Sequence, residues 1–192
     1  MIDTLTKMLS QVRDSKFLSS LDIQHEDHVV ITLHRPSNVD SPEQLLLLLE
    51  EIKKMSEQFD IIWPIHPRTK SRIEAIGEYE ALVQNASIHM TKPLGYIDFM
   101  KCIYESRMVV TDSGGIQEDT TYRKVPCLTI RENTERPSTI ELGSNELVAL
   151  DKKNIISKVD YLLNVNKKEC QIPPLWDGKA TQRIVSILND IL

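Results

Sequence analysis

The feature that most limits the fold of this chain is a regular alternation of short, apolar, β-rich runs with longer helical stretches. His28 to His34 (HVVITLH) reads as a buried strand and Ile61 to Ile65 (IIWPI) as a second. Further strands are expected near Ser87 to Met90, from Arg107 to Thr111, from Cys127 to Ile130, and from Glu146 to Leu150. Helices fall between them: Ser41-Pro42 to about Gln58, Thr69 to Ile76, Tyr96 to Glu105, and Gly115 to Arg123. Ser41 has the chemistry of an N-cap, with Pro42 at the first helical position. Helices near Asp151 to Leu163 and Lys179 to Ile191 finish the chain, separated by a polar connection at residues 164–178 that contains Pro173-Pro174. Strands that are apolar throughout belong to a parallel sheet covered on both faces. The expected fold class is therefore α/β, a Rossmann-like three-layer sandwich.

Length and charge narrow the partners. A chain of 192 residues makes one domain of ordinary size and is short for two. Its formal net charge of -5 argues against nucleic acid as a partner while leaving room for a local anion pocket. Cys102, Cys127 and Cys170 are widely spaced and odd in number, which fits reduced thiols in a cytoplasmic protein; no spacing suggests a metal site. The opening segment breaks its apolar positions with Asp3, Lys7, Gln11, Arg13 and Asp14, an amphipathic helix rather than a signal peptide. The apolar run Leu45 to Leu49 is far too short to span a bilayer, so no membrane association is expected.

In parallel sheets of this kind ligands sit beyond the carboxyl ends of the strands. The chemically informative residues cluster there: His34-Arg35, His66, Asp112 to Gly115, and Arg131 to Arg136. Ser113-Gly114-Gly115 lies between a strand and a helix, where glycines admit a ligand close to the backbone and first-turn N–H groups point outward. With the helix dipole, such a turn suits a diphosphate. On the tripeptide alone, a tight turn with Ser113 as an ordinary N-cap is the commoner reading. The loop Arg131 to Pro137 (RENTERP) adds two guanidiniums suited to phosphate oxygens. Taken alone, it reads equally as a solvated loop in which Glu132 and Glu135 pair with those arginines. His34 and His66 end the first and second strands on one sheet edge, which favours a ligand site over two structural histidines. His25, His28 and His89 lack that placement and read as structural or surface residues, and Phe99 alone reads as helix packing.

Five segments taken together, TLHRPSNVD, WPIHPR, PLGYIDF, TDSGGIQED and RENTERP, resemble in order and spacing the C-terminal domain of UDP-N-acetylglucosamine 2-epimerases. The resemblance runs from about Ile2 to the end and implies the C-terminal half of a two-domain GT-B-type fold. It implies an isomerase that interconverts UDP-GlcNAc and UDP-ManNAc by eliminating UDP, leaving 2-acetamidoglucal, and re-adding it after C2 inverts. No cofactor or metal is implied. Carried over by position, Ser113, Gly114 and Gly115 would bind the diphosphate. Leu94 and Phe99 would lie at the uracil, Asp119 at the ribose hydroxyls, and Arg136 beside the UDP charge. His34 would be the catalytic residue contributed by this half. Arg35 and His66 match positions linked, in non-hydrolysing members, to a regulatory UDP-GlcNAc site between the domains. Residues 1–192 would form the single UDP-binding domain, with the catalytic N-terminal half absent, so the chain alone is expected to be inactive. The full enzyme is expected to be a homodimer in polysaccharide biosynthesis. The alternatives are the donor-nucleotide domain of a GT-B glycosyltransferase and a non-catalytic nucleotide-sugar-binding domain.

Three positions depart from the family pattern. Asp119 stands where a glutamate is usual, Pro36-Ser37 where arginine and glutamate are common, and Lys124 where a helix-ending glycine is expected. If that helix end needs a left-handed residue, lysine costs roughly 1 kcal/mol there. The helix that normally crosses to the other half would leave Ile184, Ile187, Leu188 and Ile191 exposed.

Overall fold

The computed structural model describes residues 1–24, 27–149, 152–164 and 170–191. His25, Leu150 and Asp151, about which the sequence carries expectations, lie outside them. Helix α1 (Ile2–Asp14) and the short α2 (Phe17–Ser20) precede strand β1 (His28–Thr32). Then come α3 (Pro36–Val39), α4 (Pro42–Met55), β2 (Asp60–Pro64), α5 (Pro67–Ala75), α6 (Tyr79–Val83) and β3 (Ile88–Thr91). The chain continues through α7 (Tyr96–Tyr104), β4 (Met108–Thr111), α8 (Gly114–Arg123), β5 (Cys127–Ile130) and α9 (Ser138–Glu141). It closes with β6 (Asn145–Val148), α10 (Lys152–Asn164) and α11 (Ala180–Ile191).

The strands form one sheet in the order β3-β2-β1-β4-β5-β6, every neighbour parallel. Side chains alternate across it. Val29 and Ile31 enter an apolar cluster with Leu45, Leu49 and Ile73, while Val30 faces Leu5, Met100 and Ile116 on the other side. Both faces of β1 are thus filled, which is why its residues read as an unbroken apolar run. The three-layer sandwich expected from the alternation is what forms.

Local chemistry sets the ends. Ser41 Oγ accepts from the Gln44 N–H at 3.4 Å and Pro42 opens α4, as expected. That helix stops at Met55 rather than near Gln58; the Ser56 hydroxyl donates to the Lys53 carbonyl at 2.6 Å, a local bond that competes with the helical pattern. Asn164 belongs to α10 instead of the following connection. At the end of α8, Lys124 takes the left-handed conformation (φ 58°, ψ 30°). Its N–H donates to the Thr121 carbonyl and that of Val125 to the Thr120 carbonyl, the paired bonds of a glycine-type helix stop. The turn does require a left-handed residue, and lysine occupies it.

The strand order reverses between β1 and β4, so helices leave the two strands on opposite faces and open a crevice at their carboxyl ends. Thr32 is in register with Thr111, and their hydroxyls meet at 2.9 Å. Residues 33–38 and 112–115, just beyond, therefore share one crevice.

Candidate functional site at the switch of the sheet

The crevice is organised around Asp112, which is fully buried at the end of β4. Its Oδ2 accepts from the backbone N–H groups of His34 (2.9 Å) and Arg35 (2.8 Å) and from Asn38 Nδ2 (3.2 Å). His34 Nδ1 lies 2.8 Å from Oδ1, an oxygen with no hydrogen bond of good geometry of its own. Arg35 Nε donates to the Asp112 carbonyl at 2.9 Å. One carboxylate thus fixes the turn after β1 and faces the imidazole from behind.

His34 opens on a cavity of about 230 Å³ lined also by Thr32, Pro64, His66, Leu94, Phe99, Ser113 and Ile116. Five of the residues singled out from the sequence meet here: His34, His66, Leu94, Phe99 and Ser113. The His34 and His66 rings lie 5.7 Å apart and 39° from parallel. His66 also caps α5, its Nδ1 accepting from the Arg68 N–H at 3.1 Å. Arg35 does not line this cavity. It opens on an adjoining one of about 280 Å³ shared with Asn38, Gln44 and Arg131.

The start of α8 forms the rim. Unlike Ser41, Ser113 makes no side-chain cap bond, so the first-turn N–H groups find no acceptor in its hydroxyl. A Cβ placed on Gly114 would lie 3.0 Å from Arg136 Nη1 and 3.7 Å from Arg131 Nη1. Glycine at 114 is what lets a guanidinium rest against the helix end. A Cβ on Gly115 would meet only the flexible end of Met1, so packing makes no such demand there. The two arginines differ. Arg131 is buried and bound through both terminal nitrogens to Glu135, at 3.0 and 2.7 Å, and this pairing holds the Glu135 carboxyl down at about 2. Its pairing within the loop is the bland alternative read from the sequence, realised. Arg136 is half-buried with looser acidic neighbours, Glu118 at 3.4 Å and Glu135 at 3.6 Å, leaving it the better anion ligand.

Asp119 lies six residues along α8 from Ser113, about 9 Å in helical rise. It is buried rather than open to the cavity, and burial first and the Glu118 charge second push its carboxyl up to about 7. Its charge is felt by Tyr96 and Tyr104 on α7. His28 sits at the opposite end of β1, buried, with Nε2 on the Cys102 carbonyl at 2.8 Å, and His89 Nε2 meets Asp60 at 2.7 Å. Both have the structural character expected of them. Sequence reasoning assigned no role to Asp112, Asn38 or Gln117. The available signal for Asp112 was an acid directly between a strand and Ser-Gly-Gly. Among the described residues no group of three or more His, Cys, Asp or Glu could hold a metal ion, and no helix is long and apolar enough to cross a membrane.

The sequence profile of the family described as UDP-N-acetylglucosamine 2-epimerase matches residues 1–189. The UDP-N-acetylglucosamine 2-epimerase of Methanocaldococcus jannaschii is 41% identical over 175 residues, covering 90% of this chain and 47% of that protein. That of Methanococcus maripaludis is 37% identical over the same shares. A crystal structure of the Methanocaldococcus jannaschii enzyme in complex with UDP-GlcNAc and UDP superposes with a TM-score of 0.86 at 35% identity, covering 98% of this chain and 52% of that one. The chain spans about half the length of the curated relatives it matches.

Proposed function

From the membership of this chain in the UDP-N-acetylglucosamine 2-epimerase family, we propose that it is the UDP-binding half of an enzyme interconverting UDP-GlcNAc and UDP-ManNAc. The observation that carries this reading is the seating of Arg136 against Gly114 at the uncapped start of α8. Backbone N–H groups, the helix dipole and a guanidinium converge there on one point, beside the cavity that holds His34. Breaking the C1–O bond of a UDP-sugar places charge on the diphosphate. Donors fixed beforehand at that position favour the transition state over the ground state. The uracil would rest at Leu94 and Phe99 and the ribose toward Asp119. His34, backed by Asp112, would face the diphosphate and sugar, while carboxylates from the remaining length of the longer protein would move the C2 proton. Arg35, in its adjoining cavity, and His66 would serve a second UDP-GlcNAc site between the halves.

The active species would be a homodimer of the longer protein in the cytoplasm, and the chain by itself would bind UDP weakly without epimerising. No observation favours the glycosyltransferase or the purely binding alternative. Calorimetric titration with UDP tests the reading. Saturable binding is expected, and Arg136→Ala should weaken it by about ten-fold or more, the worth of a charge-assisted contact. Undiminished binding in that variant would sink the assignment of the diphosphate site. UDP-ManNAc formed by the purified chain would overturn the division of labour between halves.

A further inference from the structure

Among the described residues, none of residues 132–137 belongs to the apolar clusters of the core. A closed ring of hydrogen bonds runs through the backbone of this loop, which carries Arg136. Gln117 Oε1 accepts from the Thr134 hydroxyl at 2.6 Å and from Asn145 Nδ2 at 3.3 Å. The Thr134 oxygen in turn accepts from the Arg136 N–H at 3.1 Å. The Arg136 carbonyl accepts from the Thr139 hydroxyl at 2.8 Å, and that oxygen accepts from Asn145 Nδ2 at 3.2 Å, which closes the circuit. Thr129 on β5 donates to Asn145 Oδ1 at 2.6 Å and anchors the ring to the sheet. Gln117, Thr129, Thr139 and Asn145 are all fully buried. A second arm leaves the ring: Gln117 Nε2 reaches the Ser113 carbonyl at 3.4 Å.

Burying two primary amides is costly unless each finds partners, and here they are used at one place. The Arg136 peptide is gripped on both sides, at N–H and at C=O. Gln117 reaches both the turn before α8, at the Ser113 carbonyl, and the loop after β5, at the Thr134 hydroxyl. Among the described residues the ion pairs of the guanidinium are loose, at 3.4 and 3.6 Å, while its backbone is held at both N–H and C=O beside Gly114.

We propose that Gln117 and Thr134 are positioning residues that hold the Arg136 backbone so that its guanidinium lies against the Gly114 end of α8, linking the two anion-binding elements of the site. The consequence for ligand affinity rests on the UDP-binding reading above; the positioning itself does not. The hydroxyl of Thr134 is the central piece, since it donates to one element and accepts from the other.

The test uses the chain with Thr134→Val, Thr134→Ser and Gln117→Leu, checked by circular dichroism for retained fold. Without ligand, amide hydrogen exchange at Arg136 should speed up about ten-fold in Thr134→Val and Gln117→Leu, while Thr134→Ser, which restores the hydroxyl, exchanges like the parent. Thr134 is half-buried, so its valine variant serves if Gln117→Leu fails to fold. Unchanged exchange at Arg136 in Thr134→Val overturns the proposal whatever UDP does. With ligand, Thr134→Val should weaken UDP by about five- to ten-fold and uridine not at all. In an Arg136→Ala background the same substitution should cost nothing further, a coupling that a merely structural threonine would not show. Equal losses for UDP and uridine, or full additivity with Arg136→Ala, also overturn it. If the parent chain binds no UDP, the UDP reading falls while the exchange measurement still decides the positioning.

Discussion

Replacing Asp119 by asparagine should stabilise the protein at alkaline pH and barely affect it in acid. Burial pushes this carboxyl up to about 7, against an ordinary value of 3.8. In the folded state the proton is therefore retained where the unfolded chain has lost it. Stability from this group is fully present below pH 3.8 and is lost as pH rises through about 7. With about 1.4 kcal/mol per pKa unit, the full loss is about 4 kcal/mol. Integrating between pH 5 and pH 8 gives about 2.5 kcal/mol of it. His28 works in the opposite sense: burial depresses its pKa below 6.5, so it favours folding as pH rises. The two trends offset each other in the parent protein, and the difference between parent and variant isolates Asp119. Urea unfolding at pH 5 and at pH 8 is the assay. The carboxamide of Asp119→Asn cannot titrate and stays close to the original shape, so the variant should gain about 2.5 kcal/mol on the parent across that interval. An equal difference at the two pH values would refute the burial argument. On the proposed placement of the ribose toward Asp119, the ionised carboxylate is the better acceptor of the two ribose O–H groups, so uridine should bind the parent more tightly at pH 8 than at pH 6.

Lys124→Gly should stabilise the protein by about 0.5–1 kcal/mol, the left-handed penalty of a side chain less the entropy glycine adds to the unfolded chain. Chemical unfolding measures it, and a loss of stability would show that Lys124 makes a compensating contact. Helix α11 buries none of its residues and exposes Ile184, Val185, Ile187, Leu188 and Ile191 at 51% or more. Sedimentation at high concentration should therefore show self-association, abolished by Ile187→Asp with Leu188→Asp; a strictly monomeric parent would refute it.

The fold was legible because a parallel sheet buries both faces of its strands. That leaves an apolar signature at β1, β2, β4 and β5 that survives without knowledge of neighbours. What escaped reading was short. Helices α3, α6 and α9 have four or five residues, less than two turns, so no periodicity can build up in them. The ends shifted where a side chain competed with the backbone, as Ser56 does at the close of α4. Lys124 is the converse case. Nothing in its own chemistry asks for a left-handed conformation; the demand comes from Cys127 having to enter the sheet three residues on, and only a glycine expected from the family pattern gave notice of it.

For the site, position at strand ends was enough to find His34, His66 and Ser113, which the cavity brings together. Position could not rank Arg131 against Arg136. Both lie in one loop, and the difference arises because Arg131 is buried within reach of Glu135 while Gly114 leaves space beside Arg136. Nor could it give Asp112 or Gln117 a role, since their partners lie on other elements: His34 is 78 residues from Asp112, and Asn145 is 28 from Gln117. A strand end seen along the chain shows which groups reach the crevice. Which of them is free to meet an anion, and which is spent on holding another, depends on hydrogen bonds between elements that exist only once the sheet order is set. Asp112, Gln117 and Asn145, which hold other groups, carry ordinary polar side chains and sit at zero exposure, so the sequence offers them as core positions with the wrong polarity. A buried polar residue within a turn of an uncapped helix end is therefore itself a signal, and Gln117, four residues after Ser113, is the instance here.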